Sequence, residues 1–424
     1  MRKNLLFLLF FLSMLVPALV KSQNMQFARS IIDTLSSDYF FGRGYIKNGD
    51  NKAALFIKDK LIQFNVNAFN NQYLQPFPIS VNTFPGRMMV AIDEDTLKPA
   101  FEYITDPSSI GNKGQYKIAH LSKDVWFGKK QKKQFLNADY SQKFIQIDTT
   151  GIKNELYNKL KQDAFNNQFD AAGYILPGKY KPMYYISQKQ AKATIIQIDT
   201  EKLNTESKQI DIAIDQEFKP NYKTQNVIGY IQGKSDSIIM FTAHYDHLGG
   251  MGNKVFFPGA NDNCSGVSML LSLAEYYNTN KIKPEYTLVF AFLSAEEVGL
   301  RGSMYMALHP PFNLKRVKFL FNLDLVGTGS EGIQIVNSTV FDKEYNLLCK
   351  LNDKNSYLKQ IKKRGEAANS DHYPFYAIGI PAFFIYTLGG TSEYHNPLDI
   401  SKTLPLTKYK ELFSLLTDFI DNYE

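Results

Sequence analysis

Cysteine is nearly absent: the 424-residue chain has 2. That excludes a disulfide-stapled scaffold and a cysteine-rich zinc module. A strong charge of one sign is also missing. Lys and Arg total 48 against 41 Asp and Glu, a formal charge of +7. Arg2, Lys3 and Lys21 lie in a leader expected to be removed, which leaves 45 basic residues and +4. So small an excess argues against nucleic acid as a partner. Beyond the leader no apolar run is long enough to cross a bilayer, which excludes a multi-span membrane protein. There is no repeat and no long low-complexity tract. What remains is ordinary for a globular protein, with 44% hydrophobic and 21% charged residues. Thirty-two Phe and 26 Tyr supply a large core. At about 150 residues per domain, the length predicts two domains or one domain with an insertion.

The leader reads as a signal peptide over residues 1–22. Arg2 and Lys3 form a positive start, residues 5–20 are apolar and broken by Pro17, and cleavage after Ser22 fits the small-residue rule. The apolar run is shorter than the roughly 20 residues of a span, and no Cys follows it to take a lipid. The sequence therefore predicts export, periplasmic or secreted, with no stable membrane anchor after cleavage. An exported chain can hold disulfides, so Cys264 and Cys349 could pair. We read them instead as unpaired buried thiols, because Cys264 sits at a helix start where a small residue is wanted.

Three further parts follow. Residues 23–80 read as a helical flank, with helices over 26–35 and 51–64; in the second, Ala54, Leu55, Ile57, Leu61 and Ile62 fall on one side. Residues 81–203 carry short β-like runs at 144–147, 172–176 and 194–198. They hold no cluster of metal ligands, and their one histidine is His120. That part is expected to shape access to a site rather than to perform chemistry. Residues 204–424 alternate apolar runs at 238–243, 286–294, 317–323 and 380–386 with helical patterns such as 266–277. Unbroken apolar strands alternating with helices predict an α/β fold with a sheet buried on both faces.

The residues able to do chemistry stand where those strands end. The first runs into His244-Tyr245-Asp246-His247, the second into Glu296-Glu297, the third into Asp324, and the fourth is followed by Tyr394-His395-Asn396-Pro397. In open α/β sheets ligands bind beyond the carboxyl ends of the strands. His244 and Asp246, two apart, project to one face of a strand, and a metal-bound His usually passes its other N–H to a carboxylate. Asp262, in Asn261-Asp262-Asn263 ahead of a helix, reads by itself as an N-cap. Glu296 and Glu297 after an apolar strand are costly neighbours unless a cation neutralises them, or they greet a helix N-terminus. Asp324 at the end of an apolar strand is a buried charge in need of a partner.

Taken together, these segments resemble one family. His244-Tyr245-Asp246, Asn261-Asp262-Asn263-x-Ser265-Gly266, Glu296-Glu297-x-Gly299-x-x-Gly302-Ser303, Asn322-x-Asp324 and His395-Asn396-Pro397-x-Asp399 are similar, in order, to the motifs of the co-catalytic di-zinc aminopeptidases. That family also contains glutamate carboxypeptidase, glutaminyl cyclase and the transferrin receptor ectodomain. The resemblance implies a mostly parallel central sheet with helices on both faces. It also implies a β-rich insertion over 81–203 similar to a degenerate protease-associated domain. It implies two Zn²⁺, one held by His244, Asp262 and Asp324 and the other by Asp262, Glu297 and His395, with Asp262 bridging. Glu296 would be the general base for a metal-bridged hydroxide, and Asp246 the partner of His244. His372, Asp371 and Tyr394 would stand near substrate, although a packing role suits His372 as well.

His247 is expected to be structural or hydrogen-bonding, and His309 to end a helix. Asn396 stands where the family often has Thr. The implied activity is removal of N-terminal residues from peptides. A glutaminyl cyclase would need one zinc and not the whole donor set. A carboxypeptidase would need a basic pocket, for which Lys362, Lys363 and Arg364 are candidates. A receptor-like homologue would be expected to have lost ligands, and none is missing.

Overall fold

In the computed structural model, which describes residues 23–122, 125, 128–148, 153–178, 183–203, 206–279 and 283–424, the unbroken apolar runs become the middle of an eight-stranded sheet. The expected signal peptide lies outside the described residues. Across the sheet the strands run Leu74–Thr83, Glu217–Ile231, Tyr286–Leu293, Ser235–His244, Val317–Leu323, Ala382–Leu388, Gly332–Val336 and Ile361–Lys363. Tyr286–Leu293, Ser235–His244, Val317–Leu323 and Ala382–Leu388 are mutually parallel, and antiparallel strands flank them.

Alternate side chains of those strands enter two cores. Ile239, Phe241, Leu288, Phe290, Phe319 and Phe321 pack with residues of the helices Met25–Leu35, Gly49–Gln63, Ser265–Thr279 and Tyr409–Asn422. Ile238, Met240, Val289, Ala291 and Leu320 pack on the other face with Met306 of Arg301–Leu308 and Phe375 of His372–Ala377. A strand covered on both faces needs no polar alternate residue, which explains the unbroken apolar runs. Each such large side chain contributes about 1.5–3 kcal/mol on leaving water.

The helix Gly49–Gln63 corrects one expectation. Its buried stripe is Ala53, Ala54, Ile57 and Leu61, while Leu55 and Ile62 are about half exposed. Both follow a stripe residue by one position, about 100° around the helix, which carries them off the contact face. Both cysteines are unpaired, as expected, but Cys349 is only partly buried.

A second eight-stranded sheet takes its strands from Met88–Ile92 through Gln209–Ile214. Leu74–Thr83 spans position 81 and Gln209–Ile214 lies beyond position 203. Strand pairing therefore places the passages between the sheets at residues 84–87 and 215–216.

Arg43 joins the N-terminal flank to the large sheet. It is fully buried. Its guanidinium donates to the carbonyls of Tyr245, Leu35, Pro258, Gly259 and Asp262, at 2.6–3.1 Å. The preceding Gly42 has φ +65, and a Cβ there would stand 2.3 Å from the Gly249 carbonyl oxygen. Glycine is therefore required for the approach that delivers Arg43. Nearby, Asp50 is buried and accepts from Tyr222 Oη at 2.7 Å and Thr224 Oγ1 at 3.0 Å.

Two outcomes follow. Arg43→Met leaves those carbonyls without donors, and each unmet buried acceptor costs about 1–3 kcal/mol. Denaturant unfolding should show a loss above about 4 kcal/mol; a loss within experimental error would remove Arg43 from its bracing role. Burial raises Asp50 to about 6, so the folded carboxyl holds its proton where the unfolded one, near pH 4, has released it. Relative to Asp50→Asn, the wild type should gain stability as pH falls from about 6 to about 4, and lose it as pH rises through that window. A constant difference between the two proteins over that range would contradict this.

Candidate metal centre

His244 is the last residue of its strand, and Asp324 directly follows Leu323, the last of the neighbouring strand. Glu296 and Glu297 lie in the turn after Tyr286–Leu293. Asp262 lies in the segment Ala260–Cys264, just ahead of the helix Ser265–Thr279. His395 comes from the loop after Ala382–Leu388 and has φ 52. Parallel strands end on one side of a sheet, so these residues meet although they lie far apart in the chain.

Four donor spacings define the centre. His244 Nε2 stands 3.2 Å from Asp262 Oδ1 and 3.3 Å from Asp324 Oδ1. His395 Nε2 stands 3.2 Å from Asp262 Oδ2 and 3.3 Å from Glu297 Oε2. Asp262 thus turns one oxygen to each histidine. Zinc bonds of about 2.0–2.1 Å to nitrogen and oxygen give a tetrahedron whose edges are about 3.3–3.4 Å, close to all four spacings. The donors are oxygen and imidazole without thiolate, the set of catalytic rather than structural zinc. Glu296 also lies in reach of a cation: its carboxylate groups with His244 and Asp324, ligand atoms within 4.8 Å of one another.

A second layer holds these donors. His244 Nδ1 donates to the carbonyl of Asp246 at 3.0 Å, while the Asp246 carboxylate is farther, at 3.8 Å. Asp246 thus stands beside His244 Nδ1 with its carbonyl nearer than its carboxylate. The Asp246 carboxylate accepts instead from Tyr45 Oη at 2.9 Å and the Glu296 amide at 3.1 Å. Asp324 Oδ2 accepts from Ser370 Oγ at 3.0 Å, and Asn322 and Thr242 continue that chain. The Asp399 carboxylate accepts the amides of Asn261 and Asp262 at 2.9 and 3.0 Å. Asp371 is buried, takes the Ser303 hydroxyl on one oxygen and has no partner on the other.

His372 is buried against Phe384, whereas Tyr394 is partly exposed and stacks on His395 with ring centroids 3.8 Å apart. The loop between Gly173–Gly178 and Thr194–Asp199 also reaches the centre. The Tyr184 amide donates to the His395 carbonyl at 3.0 Å, and the Tyr185 ring meets the His395 ring edge-on at 5.0 Å. Tyr45, Tyr184 and Tyr185 were not visible as site residues in the sequence. Ser370 carried a signal, its place beside Asp371 and His372; the others carried none. His120 pairs with the Ser207 carbonyl, and His309 follows the helix Arg301–Leu308, as expected of a helix end.

The charges explain why such a cluster needs a cation. Burial lowers the histidines, but the carboxylates outweigh it: Asp324 and Glu296 raise His244 well above its usual value, and Glu297 and Asp262 raise His395 to about 11. Burial pushes Glu296 well above the carboxylate range, against the pull of His244. Burial likewise raises Asp246 to about 7 and Asp371 to about 6. Burial opposes ionisation of Glu297 too, yet His395 brings it down to about 2. Protons thus gather where metal charge can stand, and metal binding displaces them.

Residues 226–420 match the sequence profile of Peptidase family M28. Over 213 residues the chain is 32% identical to Aminopeptidase YwaD of Bacillus subtilis (strain 168). That alignment covers 46% of this chain and 44% of the relative, so the chain spans less than half of the relative's length. The fold is similar to that of BSAP, a zinc aminopeptidase from Bacillus subtilis, with TM-score 0.68 and 22% identity over 93% of this chain and 94% of that one. It is also similar to the aminopeptidase from Aneurinibacillus sp. strain AM-1, with TM-score 0.66 and 20% identity over 94% of each. Residues 226–420, the stretch that matches the peptidase family M28 profile, carry all the candidate metal ligands described above.

Proposed function

We propose that this chain is an exported zinc aminopeptidase that removes N-terminal residues from peptides. The observation that carries the reading is the set of four 3.2–3.3 Å spacings around the shared Asp262. In this reading His244, Asp262 and Asp324 hold one zinc, and Asp262, Glu297 and His395 hold the other. Bound there, two zinc ions polarise a peptide carbonyl and make a water acidic enough to ionise near neutral pH.

The chain's own residues do the rest. The Asp246 carbonyl fixes the ring of His244. The Asp246 carboxylate, by accepting the Glu296 amide, sets the turn that aims Glu296. The carboxylate of Glu296 takes the proton of the attacking water and passes it to the leaving amine nitrogen. Its burial favours holding that proton between the two steps. The excess of buried carboxylates favours a substrate end that carries positive charge, a free α-amine.

Of the three candidate basic residues for a carboxylate pocket, Arg364 donates to Tyr386 Oη at 2.9 Å and the two lysines stand farther off. Lys362 and Lys363 lie on Ile361–Lys363, the outermost strand, four places from the strand of His244. At about 4.8 Å per strand that is roughly 19 Å away. Lys363 is engaged by Asp342. This favours attack at the amino end over the carboxyl end. Export rests on the Arg2-Lys3 start and the apolar run behind it; no described helix is long and apolar enough to cross a membrane.

Purified protein is expected to hold two zinc ions. Glu296→Gln should keep both and lower kcat about 10²–10⁴-fold. Glu297→Gln should release zinc first and regain part of its activity in excess zinc. Zinc stoichiometry and kcat on both variants check this; if the two outcomes are exchanged, the assigned roles are exchanged. Peptides with a free N-terminus should be shortened one residue at a time while N-acetylated copies persist, followed by mass spectrometry. Equal cleavage of both, or loss from the carboxyl end, would overturn the aminopeptidase reading.

A further inference from the structure

His247 stands in the centre without belonging to either donor set. It is wholly buried three residues after His244. Its Nδ1 lies 2.7 Å from Glu297 Oε1 and 3.9 Å from Asp262 Oδ1. The 2.7 Å separation is that of a charge-assisted hydrogen bond. It is about half an ångström shorter than the four spacings that match tetrahedral edges. His247 is therefore a donor to Glu297 and not a further metal ligand. An ionised carboxylate can only accept, so Nδ1 carries the hydrogen. Nε2 has no partner.

The ring is held in place from several sides. A Cβ on Gly259 would stand 2.4 Å from His247 Cδ2, and the His395 ring lies edge-on at 5.8 Å. The His247 amide donates to the Arg43 carbonyl at 3.4 Å.

We propose that His247 is a positioning residue that makes Glu297 a one-oxygen ligand. Its Nδ1–H occupies Oε1, so that Oε2 alone faces His395 and the metal position it shares with Asp262. Without that donor, Oε1 is a buried carboxylate oxygen with no partner, free to turn to the same ion or away from it. The assignment rests on the zinc reading above and adds a determinant of one half of the centre. In that reading Glu297 serves one metal position and not the other, so loss of the donor acts on one ion selectively.

The test compares three variants with the wild type. Affinity for each zinc ion is measured by chelator competition, and folding by thermal unfolding of the zinc-loaded protein. His247→Phe keeps a ring against Gly259 and His395 but has no donor. His247→Asn places an amide N–H near the position of Nδ1, and His247→Gln places it farther out, near Nε2. Phe and Gln should weaken one zinc about 10–100-fold and spare the other, as loss of a partner behind a ligand does. Asn should hold both ions near wild-type affinity. Wild-type affinity for both ions in a folded Phe or Gln variant would reduce His247 to packing and overturn the proposal. So would a folded Asn variant that loses the same ion as Phe. If Phe fails to fold, the Asn and Gln pair still decides. A wild type that binds fewer than two ions overturns the zinc-pair reading itself, which separates that failure from this one.

Discussion

A crowd of carboxylates at the end of a buried sheet is the constraint around which this protein is organised. Asp246, Asp262, Glu296, Glu297, Asp324 and Asp371 meet within one centre, most of them buried. Such a group cannot stay ionised away from water without compensating positive charge. In the described residues that compensation comes from His244 and His395, which the carboxylates raise far above their usual range. No Lys or Arg side chain forms an ion pair with these acids among the described residues. Arg43, a buried cation close by, spends its donors on backbone carbonyls. The charge balance is thus left to whatever cation the donors hold, and this links folding of the loops to metal binding.

The loops are braced independently of that charge. Arg43 ties the end of Met25–Leu35 to the turn after His244 and to the loop that carries Asp262. From the other side, Asp399 accepts the amides of Asn261 and Asp262. Asp262 is held through its backbone by two distant parts of the chain, which leaves both carboxylate oxygens to face His244 and His395. The same economy appears at Asp324, where one oxygen faces His244 and the other takes Ser370 Oγ. A ligand fixed by its second oxygen or its backbone loses little freedom on binding a metal, which is what preorganisation requires.

The second sheet supplies none of the donors, yet the loop between its strands Gly173–Gly178 and Thr194–Asp199 touches one of them. The Tyr184 amide and the Tyr185 ring both meet His395, whose backbone sits at positive φ. Positive φ is unfavourable for a residue with a side chain and persists where neighbours overdetermine it. Tyr184, Tyr185 and Tyr394 together supply such neighbours. Aromatic side chains from two loops thus border His395 on that side.

The sequence by itself determined the fold class and the donors. Unbroken apolar runs that end in His, Glu and Asp can be buried only as central strands, and strands of an open parallel sheet present their ends together. Local pattern placed His244, Glu296, Glu297 and Asp324 at strand ends, while Asp262 and His395 entered the donor set only through the family resemblance. Helix periodicity placed the stripe of Gly49–Gln63 but misjudged its edges at Leu55 and Ile62, because one residue of offset decides exposure. Which atom faces which was beyond local pattern. The carbonyl of Asp246 lies nearer His244 Nδ1 than its carboxylate does, a detail that strand alternation does not give. His247 was expected to be structural or hydrogen-bonding, but nothing local named Glu297, fifty residues away, as its partner. Arg43 gave no sign that its partners would be carbonyls some two hundred residues on. These contacts depend on strand order and on how loops close over the sheet. That information lies in pairings between distant segments and not in the periodicity of any one of them.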